Sequence, residues 1–208
     1  MEEISRKIST KIKIELNLDE NKEEVIAYGI FALIQIILSI FFTVFFGFIF
    51  HVLIESLIIM FAVIFLRRYS GGVHAKSPKL CLIFGTIVTV SLGFFSKNLS
   101  LVKFNILYLI IILSLTFIIA FYITYRKAPV DSKNKRIINK SKKKRMKLGA
   151  LRVLFIYLIL AILSIGAKEI LNIDSSYILF SICLGVLWQT FTLTKSCAFF
   201  IKKIESII

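Results

Sequence analysis

Two scarce residue types stand close together in a polar segment of an otherwise apolar chain. The sequence contains two histidines and three cysteines, and His74 precedes Cys81 by seven residues. A cysteine reacts as its thiolate, and histidine is the base that titrates nearest physiological pH. We therefore predict nucleophilic catalysis, with Cys81 as the attacking thiol and His74 as its general base. The alternative is a membrane-buried cysteine beside an incidental interfacial histidine.

Helix geometry restricts how these two side chains can meet. On one straight helix, a separation of seven residues is about 10 Å, which is too far for proton transfer. Ser77 followed by Pro78 is typical of a helix start, with the serine hydroxyl as N-cap and proline in the first helical position. We therefore predict a bend here, with Cys81 in the first turn of the next helix. The glycines at 71–72 then act as a hinge that lets the histidine fold back.

Positive charge around the cysteine supports the same chemistry. A helix N-terminus and the nearby Lys76 and Lys79 both favour a thiolate at Cys81. The sequence has no CxxC pair and no cysteine-histidine spacing typical of zinc ligands, so we predict no metal site and no cofactor. His51 and Glu55 stand four residues apart, as two metal ligands can, but no third ligand accompanies them. We interpret them as the outer end of a helical hairpin.

This segment, together with a second one in a basic loop, resembles the accessory gene regulator B family, bacterial membrane endopeptidases that process a quorum-sensing propeptide. The match rests on Arg-Arg-Tyr-Ser-Gly-Gly-Val-His-Ala at 67–75 with Cys81 behind it, and on Ala-Pro-Val-Asp at 128–131 with Asn-Lys at 134–135. The resemblance implies that Cys81 attacks a peptide bond in the C-terminal part of an autoinducing propeptide, with His74 as base. A cysteine or serine inside the peptide then captures the acyl-thioester, giving a thiolactone or a lactone.

The resemblance also implies substrate-binding residues around the glycine pair. Arg67 and Gly72 fall on positions that look functional in the family. We predict that Arg67, Arg68, Gly71, Gly72 and Lys76 bind the substrate. Bidentate binding of a substrate carboxylate would suit Arg67. Its alternative role is that of a topology anchor at the membrane interface.

Three other residues have side chains that could take part in chemistry. Asp131 is the only acid in the basic segment 126–152, and we predict that it orients the imidazole of His74. A turn-forming aspartate is the alternative. Cys183 and Cys197 have no histidine nearby in the sequence, and we interpret both as apolar packing residues.

Composition places this chemistry in a membrane. Of the 208 residues 58% are hydrophobic, and they are gathered into long runs that a polar surface cannot cover in water. The run 25–66 carries only Glu55 as a formal charge and is too long for one crossing. It predicts two helices, with a break between Gly47 and Glu55. Further spans are predicted at 80–95, 104–125, 153–167 and 177–201.

We therefore predict an all-α, polytopic integral membrane protein with about six transmembrane helices. Four full spans plus two re-entrant segments are the alternative, because three of the runs are short for a crossing. Of the 27 Lys and Arg residues, 24 fall on one side of the six-span arrangement. The positive-inside rule puts that side in the cytoplasm, with both termini and the loops 67–79 and 126–152.

The N-terminal segment, residues 1–24, has an amphipathic pattern of its own. Apolar residues recur every four positions among Lys, Arg and Glu, as an amphipathic helix requires. Such a helix lies flat on the inner leaflet or binds another amphipathic helix, such as a substrate leader. Residues 25–208 are predicted to form a single transmembrane peptidase domain. The recurring residues are Ile4, Ile8, Ile12 and Leu16.

The net charge and the distribution of basic residues limit which kinds of partner the protein can bind. The formal net charge of +15 does not predict nucleic-acid binding, because the positive residues lie between apolar runs. We interpret the basic run 140–147 as a contact with anionic inner-leaflet lipids, with docking of an acidic propeptide segment as the alternative. The resemblance implies a propeptide substrate, a homodimer, and an active site facing the cytoplasm at a bacterial cell membrane. A small peptide exporter or permease, or a non-catalytic scaffold, would instead leave Cys81 dispensable.

Overall fold

The computed structural model describes residues 2–73, 77–130, 139–172 and 174–205, with side chains up to residue 203. These residues form eight helices and no strand, so the predicted all-α class is confirmed. One isolated parallel β-bridge joins Gly71 to Val130. The helices are α1 (Glu2–Leu16), α2 (Glu20–Ile49), α3 (Leu53–Ser70), α4 (Pro78–Leu101), α5 (Ile106–Lys127), α6 (Lys140–Leu171), α7 (Ser176–Phe191) and α8 (Lys195–Glu205).

Four of these helices, α2, α4, α5 and α6, are long and apolar enough to cross a membrane. Together α7 and α8 meet the same criterion, but they are bent by 82° at the short break between them. Helix α3 has 18 residues and carries three charged residues, Glu55, Arg67 and Arg68, and it is not among the candidate spans. The described part of the chain therefore has four candidate spans, or five with the bent pair. The six-span count and the cytoplasmic termini stay predictions.

The first apolar run folds as two helices, and their break lies between Gly47 and Glu55 as predicted. Gly47 permits the close approach at this corner, because a Cβ there would lie 3.1 Å from the Cα of Leu53. His51 adopts a left-handed backbone with φ of 55°, and its carbonyl accepts a hydrogen bond from Lys97 Nζ at 2.6 Å. The backbone of His51 thus forms the corner of the α2–α3 hairpin and accepts a hydrogen bond from α4.

The span predicted at 153–167 is only the central part of α6. This helix begins at Lys140 and contains the whole basic run 140–147 before it becomes apolar. Asn139 caps its start, since Oδ1 accepts hydrogen bonds from the backbone N–H groups of Ser141 and Lys142. Lysine and arginine are good helix formers, so the charge of this segment does not interrupt the helix.

The span predicted at 177–201 is wrong as one continuous helix. Helix α7 ends at Phe191, and α8 starts at Lys195. Between them the Thr192 hydroxyl donates to the Gln189 carbonyl at 2.7 Å, and the Thr194 hydroxyl donates to the Phe191 carbonyl at 2.7 Å. Side-chain hydroxyls that bind nearby carbonyls compete with helical hydrogen bonds, which accounts for the break.

Helix α7 is the centre of the packing, because it contacts α3, α4, α5 and α6. Gly185 brings α7 against α3, since a Cβ there would lie 2.9 Å from the Cβ of Ala62. The two helices are therefore in close contact within the hydrophobic core. The fully buried residues of this core include Leu66, Leu109, Leu154, Leu179, Phe180 and Val186.

Helix α1 packs on α2 through its small polar residues rather than its apolar stripe. Ser5 and Ser9 are buried, whereas Ile4 and Leu16 are 55% and 64% exposed. The Lys13 ammonium forms an ion pair with Glu23 at 2.7 Å, which fastens α1 to the start of α2. The predicted amphipathic helix is present, and its apolar face is turned away from the rest of the described structure.

Candidate active site

A glycine turn ends α3 and could not be built from other residues. Gly71 and Gly72 have φ values of 68° and 138°, a region that L side chains rarely adopt. A Cβ on Gly71 would overlap the Val130 carbonyl oxygen, and one on Gly72 would lie 2.6 Å from Thr192 Oγ1. Backbone conformation and available space thus both require glycine. The predicted hinge is a turn held from two sides.

The first holding contact comes from the segment after α5. The Val130 N–H donates to the Ser70 carbonyl at 2.9 Å, beside the parallel bridge that pairs Val130 with Gly71. The two segments that carry the family resemblance therefore meet directly in space. The chain reaches this contact through Pro129, whose preceding peptide bond is cis.

The second holding contact comes from the end of α7. Gln189 is fully buried, and its Nε2 donates to the Gly71 carbonyl at 2.8 Å and to the Ser70 hydroxyl at 3.0 Å. The Thr192 carbonyl accepts from the Val73 N–H at 3.1 Å. The turn is thereby bound to the end of α7 as well as to the segment that carries Val130.

Three predicted site residues, His74, Lys76 and Asp131, lie outside the residues that the structure describes. In sequence, His74 follows Val73 and Asp131 follows Val130. The Val73 N–H donates to the Thr192 carbonyl, and the Val130 N–H donates to the Ser70 carbonyl. The roles of the three residues stay predictions.

Cys81 lies in the first turn of α4. The helix begins at Pro78 with Ser77 as its N-cap residue, as predicted. The Cys81 N–H donates to the Ser77 carbonyl at 3.0 Å and so closes the first helical turn. The predicted cap by the serine hydroxyl is wrong, because that side chain makes no capping hydrogen bond. Ser77 is exposed, so water can bind the open N–H groups in its place.

A cavity of about 60 Å³ adjoins Cys81. Its wall is mostly apolar, with the rings of Phe84 and Trp188 packed at a centroid distance of 6.0 Å. One cationic side chain, Arg67, enters it. The cavity can therefore take an apolar group together with an electron-rich oxygen beside the thiol. Its lining residues are Arg67, Val73, Leu80, Cys81, Phe84, Gly85, Trp188, Thr192 and Ile201.

Arg67 has one donor engaged and one that no described residue binds. Its Nη2 donates to the Val73 carbonyl at 2.5 Å. Its Nε is buried and has no hydrogen-bond partner among the described residues. The preferred partner of such a guanidinium donor is a carbonyl or carboxylate oxygen.

The predicted substrate-binding residues divide into two groups. Arg67, Gly71 and Gly72 lie at the turn and near the cavity with Cys81. Arg68 is exposed, and its guanidinium carbon lies 5.9 Å from the centre of the Tyr69 ring, outside the cavity. The structure therefore brings the first group together and leaves Arg68 apart from it.

The residues that α7 contributes to the site were not predicted from the sequence. Gln189 is the only side-chain amide in the apolar helix 176–191, and that isolation is the signal that could have identified it. Trp188 and Thr192 gave no comparable signal. Cys183 and Cys197 are buried, at 3% and 0% exposed.

Comparison with known proteins agrees with the resemblance drawn from the motifs. The family model described as Accessory gene regulator B matches residues 5–193. A protein of Clostridium perfringens (strain 13 / Type A) that carries an AgrB-like name is 39% identical over 211 residues, covering 99% of this chain and 97% of its own. Another, from Clostridium perfringens (strain SM101 / Type A), is 39% identical over 184 residues, covering 87% and 85%. No solved structure matches the chain.

Proposed function

Since the chain belongs to the accessory gene regulator B family, we propose that it is a membrane-embedded cysteine endopeptidase acting on an autoinducing propeptide. Family membership implies a role in quorum-sensing peptide processing, and its apolar helices are those of a membrane protein. The observation that carries the enzymatic proposal is the position of Cys81. It lies in the first turn of α4 and lines a cavity that also contains Arg67.

The reaction begins with attack of the Cys81 thiolate on the carbonyl carbon of a bond in the C-terminal part of the propeptide. The S–C bond forms as the C–N bond breaks, and His74, protonated by the thiol, gives that proton to the departing amine. The product on the enzyme is an acyl-thioester. A cysteine or serine inside the peptide then attacks this thioester, releasing Cys81 and closing a thiolactone or lactone ring.

The surroundings of Cys81 suit both steps. A helix N-terminus carries partial positive charge that favours the thiolate. The aromatic and aliphatic cavity wall limits water, which favours capture by a nucleophile of the peptide over hydrolysis. In this proposal the cavity takes the apolar side chain on the acyl side of the cleaved bond.

The remaining site residues have secondary roles in this proposal. Arg67 binds a carboxylate or carbonyl oxygen of the peptide through its Nε, a role that its buried position supports over that of an interface anchor. Arg68 and Lys76 bind acidic groups of the peptide outside the cavity, and Asp131 orients the imidazole of His74. Gly71 and Gly72 supply the backbone shape that these groups need.

The proposed setting is a bacterial cell membrane with the active site facing the cytoplasm. The asymmetry of Lys and Arg supports this orientation. The basic first turns of α6 offer a contact for anionic lipids of the inner leaflet. The homodimer is proposed from the family resemblance alone.

One assay tests the chemistry. Wild type, Cys81→Ala and His74→Ala are each reconstituted and supplied with the propeptide that we expect to be encoded beside the gene, and cleavage is followed by mass spectrometry. We expect cleavage by wild type only, and a mass shift on the Cys81 peptide when the reaction is quenched early. Cys183→Ala is the matched control, since this cysteine is buried in the core away from the cavity, and it should cleave.

An exporter or a scaffold gives a different result in the same assay. Either would leave Cys81 dispensable for release of the mature peptide. Cleavage by the Cys81→Ala protein at the wild-type rate would overturn the peptidase proposal.

A further inference from the structure

We infer that Gln189 is a positioning residue for the catalytic pair, an inference that rests on the proposed peptidase function. It lies on α7, far along the chain from both His74 and Cys81. Its amide holds the backbone that leads into His74. Gln189 is not among the residues that line the cavity, and its hydrogen bonds go to the turn, so in this inference it acts through the turn.

The orientation of the amide is fixed by its partners. The Gly71 carbonyl can only accept, so the group of Gln189 that faces it at 2.8 Å must be the NH2. The same nitrogen donates to the Ser70 hydroxyl at 3.0 Å. Both donors of the amide are thus directed at the end of α3, and the side chain is 0% exposed.

Thr192, three residues after Gln189, contacts the next two residues of the turn. We call the contacts of Gln189 and Thr192 with the turn the clamp. The Thr192 carbonyl accepts from the Val73 N–H, and its hydroxyl packs where a Cβ of Gly72 would stand. That hydroxyl is in turn held by the Gln189 carbonyl at 2.7 Å. The last turn of α7 therefore contacts three consecutive residues, from Gly71 to Val73.

Loss of this clamp would lower the catalytic rate by disturbing the geometry of the catalytic pair. Gly71 and Gly72 have positive φ values, and glycine adopts many other conformations almost as readily. Without the amide, the Gly71 carbonyl has no donor from α7, and the turn is free to relax. His74 would then move relative to Cys81, and a displacement of about 1 Å at a reacting pair costs about 100-fold in rate.

A purely structural role is the competing explanation. Buried amides hydrogen-bond across membrane helices and contribute to their packing. In that case the loss of Gln189 would reduce thermal stability, while the folded fraction would turn over at the wild-type rate. A positioning role instead lowers kcat of the folded protein and leaves KM close to its original value.

The test uses two substitutions and one control, all in the full-length protein in lipid. Gln189→Met keeps the volume and removes both donors. Gln189→Glu keeps the shape, and burial favours its neutral acid, which can again donate to the Gly71 carbonyl. Thr190→Val is the control, because the Thr190 hydroxyl is buried on the same helix but bonds only to carbonyls of α7.

We expect Gln189→Met to lower kcat for propeptide cleavage by about 10- to 100-fold, with KM within about threefold of wild type. The Thr190→Val protein should keep wild-type kcat. For Gln189→Glu, the ratio of its kcat to that of wild type should rise as the pH falls, because protonation restores the donor. The ratio for Gln189→Met should not change with pH.

The inference is overturned if folded Gln189→Met retains more than about half of the wild-type kcat. Should that variant not fold, Gln189→Glu decides over the pH range in which its introduced acid ionises: a kcat ratio that does not change as the acid ionises overturns the inference, and a ratio that rises on protonation supports it. Failure of the proposed function looks different. In that case wild type itself does not cleave the propeptide, whatever residue stands at 189.

Discussion

The guanidinium of Arg67 donates a hydrogen bond to the Val73 carbonyl, six residues further along the chain. This contact bridges the glycine turn and closes it into a loop. Because Arg67 also lines the cavity beside Cys81, the residue that shapes the turn is the one that can contact a ligand there. Arg67 therefore couples its own hydrogen bond at the turn to its own contact with a ligand in the cavity.

Replacement of Arg67 by lysine should show this coupling. Lysine keeps the charge but lacks the planar fork that reaches the Val73 carbonyl while presenting a second N–H. We expect Arg67→Lys to lower kcat/KM for propeptide cleavage by about 10- to 100-fold. Arg126→Lys is the matched control, since Arg126 is exposed at the end of α5 and lies over the Tyr122 ring. Equal activity of the two variants would contradict the role of Arg67.

Alanine at either glycine of the turn should abolish cleavage. The positive φ alone costs about 1–2 kcal/mol for a residue with a Cβ. Gly71→Ala should be the more destabilising, because its Cβ would overlap Val130 backbone, whereas at Gly72 it meets the Thr192 side chain. Thermal unfolding in detergent and the cleavage assay measure both effects.

Gly166→Ala provides the control for this pair of substitutions. Gly166 lies inside α6, and a Cβ there meets no atom within 4 Å. Alanine in a helix interior is favoured over glycine by about 0.5–1 kcal/mol, so this variant should be at least as stable as wild type and fully active. A turn variant that behaves like Gly166→Ala would show that the turn tolerates a side chain.

Filling the cavity should reduce affinity for the propeptide. Gly85 lines the cavity, and a Cβ on it meets nothing within 4 Å, so Gly85→Leu can fold while its side chain occupies the binding space. We expect KM to rise about tenfold or more, in line with the cost of a misfitting side chain in an apolar pocket. Gly29→Leu, at an equally open position on α2, should leave KM unchanged. A normal KM for Gly85→Leu would mean that the peptide binds elsewhere.

The ion pair between Lys13 and Glu23 should hold α1 on α2 across the neutral range. A side-chain hydrogen bond with Glu23 raises the pKa of Lys13 above its usual value. The stabilisation is therefore fully present below the ordinary lysine pKa and is lost as the pH rises through the raised value. Glu23→Gln should increase backbone hydrogen exchange in α1 by about two- to fivefold, and Glu24→Gln should not. Equal exchange in both variants would show that the pair does not hold the helix.

Local sequence signals predicted the position of the candidate nucleophile well. Ser77 followed by Pro78 starts α4, and Cys81 lies in its first turn, because proline fixes the backbone angle that a first helical residue needs. The same holds for the α2–α3 corner, where polar residues interrupt the apolar run. Both are effects of neighbouring residues, which a sequence displays directly.

The contacts between the end of α7 and the glycine turn could not be predicted from local sequence signals. Gln189 binds Gly71 across 118 residues of sequence, and no periodicity indicates which buried face meets which turn. The break after α7 was missed for a related reason, since hydropathy registers threonine as mildly polar but not as a competitor for backbone carbonyls. The start of α6 was missed because hydropathy detects apolar residues, whereas the first residues of this helix are basic.

The contact between Gln189 and Gly71 also has a consequence for biosynthesis. When a ribosome has made α3 and α4, the thiol of Cys81 is already in the chain, but the helix that fixes the glycine turn has not yet been synthesised. If the proposed function holds, the catalytic arrangement is complete only after α7 has packed beside α3. A nascent chain should then stay inactive until Gln189 has been synthesised, within the last tenth of the 208 residues.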